Sequence, residues 1–240
     1  MRVTKFRIKP DTEEKRVKDD SQYNLWNGDF AQEYERFNYG HGAAGFVLAK
    51  SHQLVERPYS PSVKFRRVLE VGAGSGVHVK YIRHAFDEYW MTDASIEMLK
   101  RTGKNTAKNI VVAVEDATKL SFENASFDRL IATHVLEHLY RPHEVLREWA
   151  RVLRPGGTLS IVLPCDPGLL WRIGRRFGPR ARAHAQGIPY DYAMAREHVN
   201  SITNLVTFIN YYFSDIEQYW WPTRVPLSDI NLIYAANIRV

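Results

Sequence analysis

The residues of this chain best spaced for chemistry begin with a glycine cluster. Val71-Gly72-Ala73-Gly74-Ser75-Gly76 follows the short apolar run Val68-Leu69-Glu70-Val71. Glycines at such a corner let backbone amides approach a ligand closely, and the start of a following helix favours negative charge. Acids stand further on, Asp93 after Met91-Thr92 and Asp116 after Glu115. A carboxylate about twenty residues beyond the glycines, at a strand end, can accept both hydroxyls of a ribose. The competing role for Asp93 is a helix cap, but Ser95 is already available for that, so the ribose is preferred. His134 and His198, with Glu197 beside the latter, are the groups suited to moving a proton. His134 could equally orient an acceptor or be structural, and Glu137 and His138 on the following turn are read as packing or capping.

These groups need elements to hold them, and the apolar rhythm supplies them. Strands are expected at Val68–Val71, Glu88–Thr92, Ile110–Val114, Phe127–Thr133 and Thr158–Leu163. Helices are expected after the glycines through Val79, Tyr81, Ile82 and Ala85, at Ile96–Arg101 and at His143–Leu153, the last ended by a turn at Arg154-Pro155-Gly156-Gly157. Strands that read as continuous apolar runs and alternate with helices imply a parallel sheet covered on both faces, doubly wound by right-handed crossovers. Further helices are expected around Val47–Val55 and Ile202–Tyr212. Strands at Ile216–Trp220 and Asn231–Ile238 are expected to pair as an antiparallel edge.

Residues 1 to about 20 are highly charged and read as a tail, and the aromatics from Tyr23 to Tyr39 read as short cap helices. The division expected is residues 1–60 as N-terminal tail and cap, and 61–240 as one ligand-binding domain with an insertion at about 164–200. The 240 residues suffice for that arrangement. The net charge of +6 favours anionic partners. A single cysteine, Cys165, excludes an internal disulfide. The first residues lack the apolar core of a secretory signal, and no apolar run reaches the roughly eighteen residues of a membrane span. A reducing cytoplasm is the expected location. No His/Cys cluster shows metal-ligand spacing, so no metal is expected.

The glycines read G-x-G-x-G, and Val77 stands where a dinucleotide loop wants its third glycine. The run Val68 to Gly76 resembles the first motif of the class I S-adenosylmethionine-dependent methyltransferases. Met91-Thr92-Asp93-Ala94-Ser95, Glu115-Asp116-Ala117, Phe127-Asp128 through Thr133-His134-Val135-Leu136-Glu137-His138-Leu139, and Leu153 to Leu159 match that family in order and spacing, over roughly residues 66 to 165. The likeness is to the bacterial small-molecule or glycan type, similar to methyltransferase type 11. It implies an α/β fold: a Rossmann-like, doubly wound, mostly parallel seven-stranded sheet with helices on both faces and an antiparallel C-terminal edge strand. It also implies S-adenosyl-L-methionine as cofactor and S-adenosyl-L-homocysteine as product. Glu70, Gly72, Ala73, Gly74, Gly76, Asp93, Ala94, Asp116, Ala117, Thr133 and His134 would line that cofactor, with Asp116 on the adenine amine; the competing role for Asp116 is a plain turn.

Specificity is expected in the insertion, because ligands of open α/β sheets lie beyond the carboxyl ends of the strands. Gly168 to Arg182 mixes five arginines with Leu, Trp, Ile and Phe. It reads as a contact for anionic lipid or substrate phosphate, or as a solvated amphipathic cap. Arg172, Arg175, Arg176, Tyr190, Arg196 and Asn200 are the candidate acceptor contacts. Asn200 or Ser201 could instead cap the next helix, with Glu197 and His198 facing solvent. Catalytic candidates are His134, His198 and Glu197. The segment from Arg196 to Phe213, with Trp220-Trp221-Pro222, resembles a bacterial subgroup associated with cell-surface polysaccharide assembly. That implies a sugar hydroxyl on a phosphate-bearing nucleotide- or lipid-linked glycan, with peripheral contact at the inner membrane face. A quinone, lipid or other metabolite acceptor is the alternative. Nucleic acid is disfavoured, since no appended RNA-binding module and no Asn-Pro-Pro-Tyr-like motif occur, and a non-catalytic cofactor-binding partner is disfavoured by the intact glycines and acids.

Overall fold

The computed structural model describes residues 42–102, 107–185 and 189–240. The expectations for residues 1–41 lie outside the described residues. Seven strands form one sheet: β1 (Lys64–Val71), β2 (Ala85–Asp93), β3 (Ile110–Val114), β4 (Phe127–Thr133), β5 (Leu153–Pro164), β6 (Asp215–Trp221) and β7 (Ile233–Arg239). Their order is β3-β2-β1-β4-β5-β7-β6. The first five run parallel, and β7 is antiparallel to both β5 and β6. The antiparallel C-terminal pair is therefore present, with β7 inside it and β6 outermost.

Helix α1 (Ala43–Glu56) packs Leu54 and Val55 on Val162, Ile233 and Ala235, so it shares the core of the sheet. α2 (Ile96–Leu99) is one short turn, capped by the Ser95 hydroxyl, which accepts from the Met98 amide at 3.3 Å. α3 (Pro142–Val152) turns Val145, Leu146, Trp149 and Val152 inward at the three- and four-residue spacing of an amphipathic helix. The insertion folds as α4 (Leu169–Phe177), α5 (Pro179–Ala185) and α6 (Tyr190–Glu197), and α7 (Ile202–Tyr212) follows. Strands β4 and β5 are almost wholly buried, as continuous apolar runs require.

Two expectations fail locally. The helix expected through Ala85 is a 3-10 turn over Val77–Tyr81. Pairing of Ala85 with Lys64 draws the chain into β2, and Ile82 is already extended. The β-branched Val77 and Val79 add little helix propensity to resist this. The Arg154-to-Gly157 turn lies inside β5, which runs unbroken from Leu153. The register slips there between Phe127 and Arg129 of β4, and Gly156 takes φ +77°. A bulge absorbs the glycines where a turn was expected.

Candidate active site

The carboxyl ends of β1, β2, β4 and β5 open on a cavity of about 770 Å³, closed on the far side by α1 and the insertion helices. Its inner wall is the glycine corner. Gly72 holds φ +63°, and a Cβ there would lie 2.5 Å from Val135 Cγ2. Only glycine fits that approach. The Ala73 amide donates to the Thr92 carbonyl at 2.9 Å, which ties the corner to β2. Beneath it, Glu70 is buried and its Oε2 accepts from Tyr89 Oη at 2.7 Å. Burial raises the Glu70 carboxyl above its usual range against the pull of His78 and that hydrogen bond.

Asp93 braces the corner from the tip of β2. Its Oδ2 accepts from the Gly74 amide at 2.9 Å and its Oδ1 from the Ser95 amide at 2.8 Å. Each oxygen keeps a further lone pair for a ligand hydroxyl. Asp116 also borders the cavity while its Oδ1 accepts from the amide and hydroxyl of Thr118 at 2.8 and 2.7 Å. Both roles weighed for it, turn residue and cavity residue, coexist. Ala73, Ala94, Ala117 and Thr133 line the same space, whereas Gly76 stands behind it against Met91. The pattern suits an adenosyl group: amides on a glycine corner, two carboxylates at successive strand tips and a small-residue floor.

His134 closes β4 at φ +58°, an uncommon backbone region for a residue with a Cβ. The strain is held by the His134 amide on the Val162 carbonyl at 3.0 Å and by the ring on both sides. Nε2 lies 3.0 Å from Ser51 Oγ and Nδ1 lies 3.6 Å from Glu137 Oε1. Glu137 is buried with its Oε2 unpartnered. Burial favours its neutral form, but His134, His138 and His198 outweigh that and hold its carboxyl below the usual range. The residues around it came together unannounced by the sequence, since α1 supplies Ser51 and the chain beyond α6 supplies His198.

The acceptor candidates divide. Arg175, Tyr190 and His198 line the cavity. The Arg175 guanidinium lies 5.3 Å from the Tyr190 ring centroid and pairs with Asp166 at 3.1 Å. Arg182, singled out only as part of the basic run, lines the cavity as well. Arg172 and Arg176 are exposed on the outer face of α4, Arg196 pairs with Glu197 at 2.9 Å, and none of these borders the cavity. Asn200 is a correction. Its Nδ2 donates to the carbonyls of Leu136, Glu137 and Leu139, so it clamps the turn after β4 and has no donor left for an acceptor. Ser201 takes the capping role, accepting from the Asn204 amide at 3.3 Å. Glu197 presents its backbone carbonyl to His138 Nδ1 at 2.9 Å and its carboxylate to Arg196, away from the cavity wall, which removes it as a base. His52 and His138 belong to the wall too, a fact their separate places in the sequence conceal.

A Rossmann-like sheet with a seventh strand inserted antiparallel beside the fifth, and a glycine corner followed by two strand-tip acids, defines a nucleoside-binding α/β enzyme fold. Residues 69–161 match the family described as a methyltransferase domain. A demethylmenaquinone methyltransferase of Paenarthrobacter aurescens is 34% identical over 108 residues, 45% of this chain and 42% of the relative. A phosphatidylethanolamine N-methyltransferase of Cereibacter sphaeroides is 34% identical over 101 residues, 40% of this chain and 49% of the relative. The chain thus spans under half the length of these curated relatives. Among solved structures, a SAM-dependent methyltransferase from Archaeoglobus fulgidus superposes with TM-score 0.59 at 18% identity, covering 88% of this chain and 100% of the other. The N-methyltransferase NodS of Bradyrhizobium japonicum, in complex with S-adenosyl-L-homocysteine, gives TM-score 0.59 at 18% identity over 87% of this chain and 96% of the other. At that identity the likeness establishes the fold.

Proposed function

We infer that the protein is an S-adenosylmethionine-dependent methyltransferase whose acceptor is a small molecule carrying an anionic group. The observation that supports this best is one continuous cavity, with the glycine corner at one end and Arg175, Arg182 and Tyr190 at the other. When bound, S-adenosylmethionine supplies a methyl group made electrophilic by its sulfonium. The corner amides and Glu70 hold its methionine end, Asp93 its ribose and Asp116 its adenine. Catalysis then asks chiefly for alignment, which the walls provide by fixing the acceptor against the corner.

An oxygen acceptor must also lose a proton. The Ser51 hydroxyl donates to the Leu48 carbonyl at 2.7 Å, so it receives the Nε2 proton of His134. The ring nitrogen left to take up a proton is Nδ1. That nitrogen lies 3.6 Å from Glu137 Oε1. His134 serves as the base and Glu137 as its positioning partner.

The finer reading is a sugar hydroxyl on a phosphate-bearing nucleotide- or lipid-linked glycan. Paired arginines suit phosphate, and Tyr190 and Trp171 on the wall suit a sugar face. A lipid or quinone acceptor is favoured by a different feature. Leu169, Ile173 and Phe177 form an exposed stripe on α4, 55%, 45% and 79% accessible, flanked by Arg172 and Arg176, as an interfacial helix on anionic lipid would present. No described helix is long and apolar enough to cross a membrane. Transfer of labelled methyl groups to nucleotide sugars, in parallel with lipid extracts, separates the two. Calorimetry that finds no S-adenosylmethionine binding would remove both.

A further inference from the structure

The geometry points to a binding site for one divalent transition metal of the zinc type, built from Glu137, His138 and His198. Their ligand atoms all lie within 4.8 Å of one another. All three side chains are largely buried, Glu137 almost completely. A single ion with zinc–nitrogen bonds of about 2.0–2.1 Å places its ligands roughly 3–4 Å apart, so side-chain rotations of about an ångström complete the set. Two imidazoles and one carboxylate leave a coordination position open, as catalytic zinc sites do.

The outer contacts of both histidines are those a metal site requires. His138 Nδ1 donates to the Glu197 carbonyl at 2.9 Å, and a carbonyl can only accept. His198 Nδ1 donates to Asp166 Oδ2 at 2.8 Å, and Arg175 holds that carboxylate at 3.1 Å. With Nδ1 fixed as donor on each ring, Nε2 is the nitrogen that carries a lone pair in the neutral form. Carboxylate and carbonyl partners of this kind accompany almost every metal-bound histidine. The third observation is independent of the histidines. Glu137 Oε2 is buried and has no hydrogen-bond partner, a state that is unfavourable unless something satisfies it.

The frame is also rigid. Glu137 and His138 ride on the 3-10 turn Leu136–His138, and His198 caps α6. Asn200, two places beyond His198, ties these two segments together through the Leu136, Glu137 and Leu139 carbonyls, and its own amide donates to the Glu137 carbonyl at 3.2 Å. All three ligands face the cavity beside His134. An ion there would bind an oxygen of the acceptor and lower the pKa of a bound hydroxyl. That consequence rests on the methyltransferase reading, whereas binding of the ion does not. Sequence spacing gave no sign of this group because His198 comes from beyond α6.

The test uses the full chain, stripped with a chelator and titrated with Co²⁺ without cofactor or acceptor. One equivalent should bind, with the intense visible d–d absorption of a four- or five-coordinate ion, and Zn²⁺ should displace it. Glu137→Gln and His198→Ala should each weaken binding at least tenfold, and Asp166→Asn by about 10- to 100-fold through the outer shell. Thermal melts of the metal-free variants exclude those that do not fold, and Zn²⁺ should raise the Tm of the wild type but not of folded His198→Ala. Absence of saturable uptake by the wild type, or an unchanged equivalent in all three variants, overturns the site. S-adenosylmethionine binding, measured on the same sample, reports on the functional reading separately.

Discussion

Ser51 of α1 and His134 at the tip of β4 meet at 3.0 Å, and this contact decides which ring nitrogen of His134 faces Glu137. Because the Ser51 proton goes to the Leu48 carbonyl, the hydroxyl accepts from Nε2. Ser51→Ala removes that acceptor inside a buried wall and leaves the ring able to adopt the other tautomer. Turnover should fall roughly tenfold, the worth of about one hydrogen bond, with cofactor affinity unchanged. His134→Asn should lose about 10²-fold or more in turnover if the ring is the base. Steady-state kinetics with calorimetry on the same variants checks both. Equal losses in cofactor affinity and turnover would show a packing role instead.

Asp93 carries the next prediction. Its carboxylate holds the Gly74 and Ser95 amides and keeps lone pairs for a ligand diol. Asp93→Ala should therefore lower S-adenosylmethionine affinity at least tenfold, the worth of a charge-assisted hydrogen bond. Titration calorimetry measures it. Unchanged affinity would contradict the ribose role.

Much of this was legible in the residues themselves. Phe127–Thr133 and Ile202–Tyr212 fall where periodicity placed them because the apolar pattern of each matches its burial, whereas Ile110–Val114 falls there although Val111, Val112 and Val114 are exposed on the outermost strand. The glycine corner was legible because so few residue types can sit at φ +63° against Val135. What stayed hidden was set by contacts distant in sequence. β2 begins at Ala85 because Lys64 pairs there, and nothing near Ala85 announces it. Asn200 looked like a ligand contact and proves to be a clamp, since its three carbonyl partners lie on another segment. Glu137 looked like a capping residue until folding surrounded it with His134, His138 and His198.

Gly72 offers a test of the corner that does not depend on chemistry. A methyl group there meets Val135 Cγ2 at 2.5 Å and demands a left-handed backbone. Gly72→Ala should destabilise the fold by roughly 1–3 kcal/mol and displace the loop that lines the cavity. Adding Val135→Ala removes the collision but leaves the backbone strain, so chemical denaturation should show only partial recovery. Full recovery would mean that φ at this position costs nothing.

Stability against pH follows from charges buried behind the cavity. Arg129 is fully buried on β4 with Nη1 2.6 Å from Glu56 Oε1, and its guanidinium lies 4.1 Å from the Tyr59 ring centroid. Burial disfavours the Glu56 charge, yet Arg129 and His78 overcome this and bring its carboxyl down to about 2. Burial brings His84 down to about 4, helped by Arg129, and its Nε2 has no partner to hold a proton. Burial likewise keeps His52 well below the usual histidine range. The signs agree in direction but differ in window. Below about pH 6.5 the unfolded chain takes protons that His84 and His52 refuse, so stability should fall from there to about 4. Glu56 adds a second loss as pH drops from about 4.5 to about 2. Thermal melts across pH should show both phases, and His84→Phe should shrink the upper one while leaving the lower intact. Glu56→Gln strands the Arg129 charge and should cost about 3–5 kcal/mol at neutral pH. A Tm that stays level from pH 6.5 to 4 would mean that these histidines accept protons within the fold.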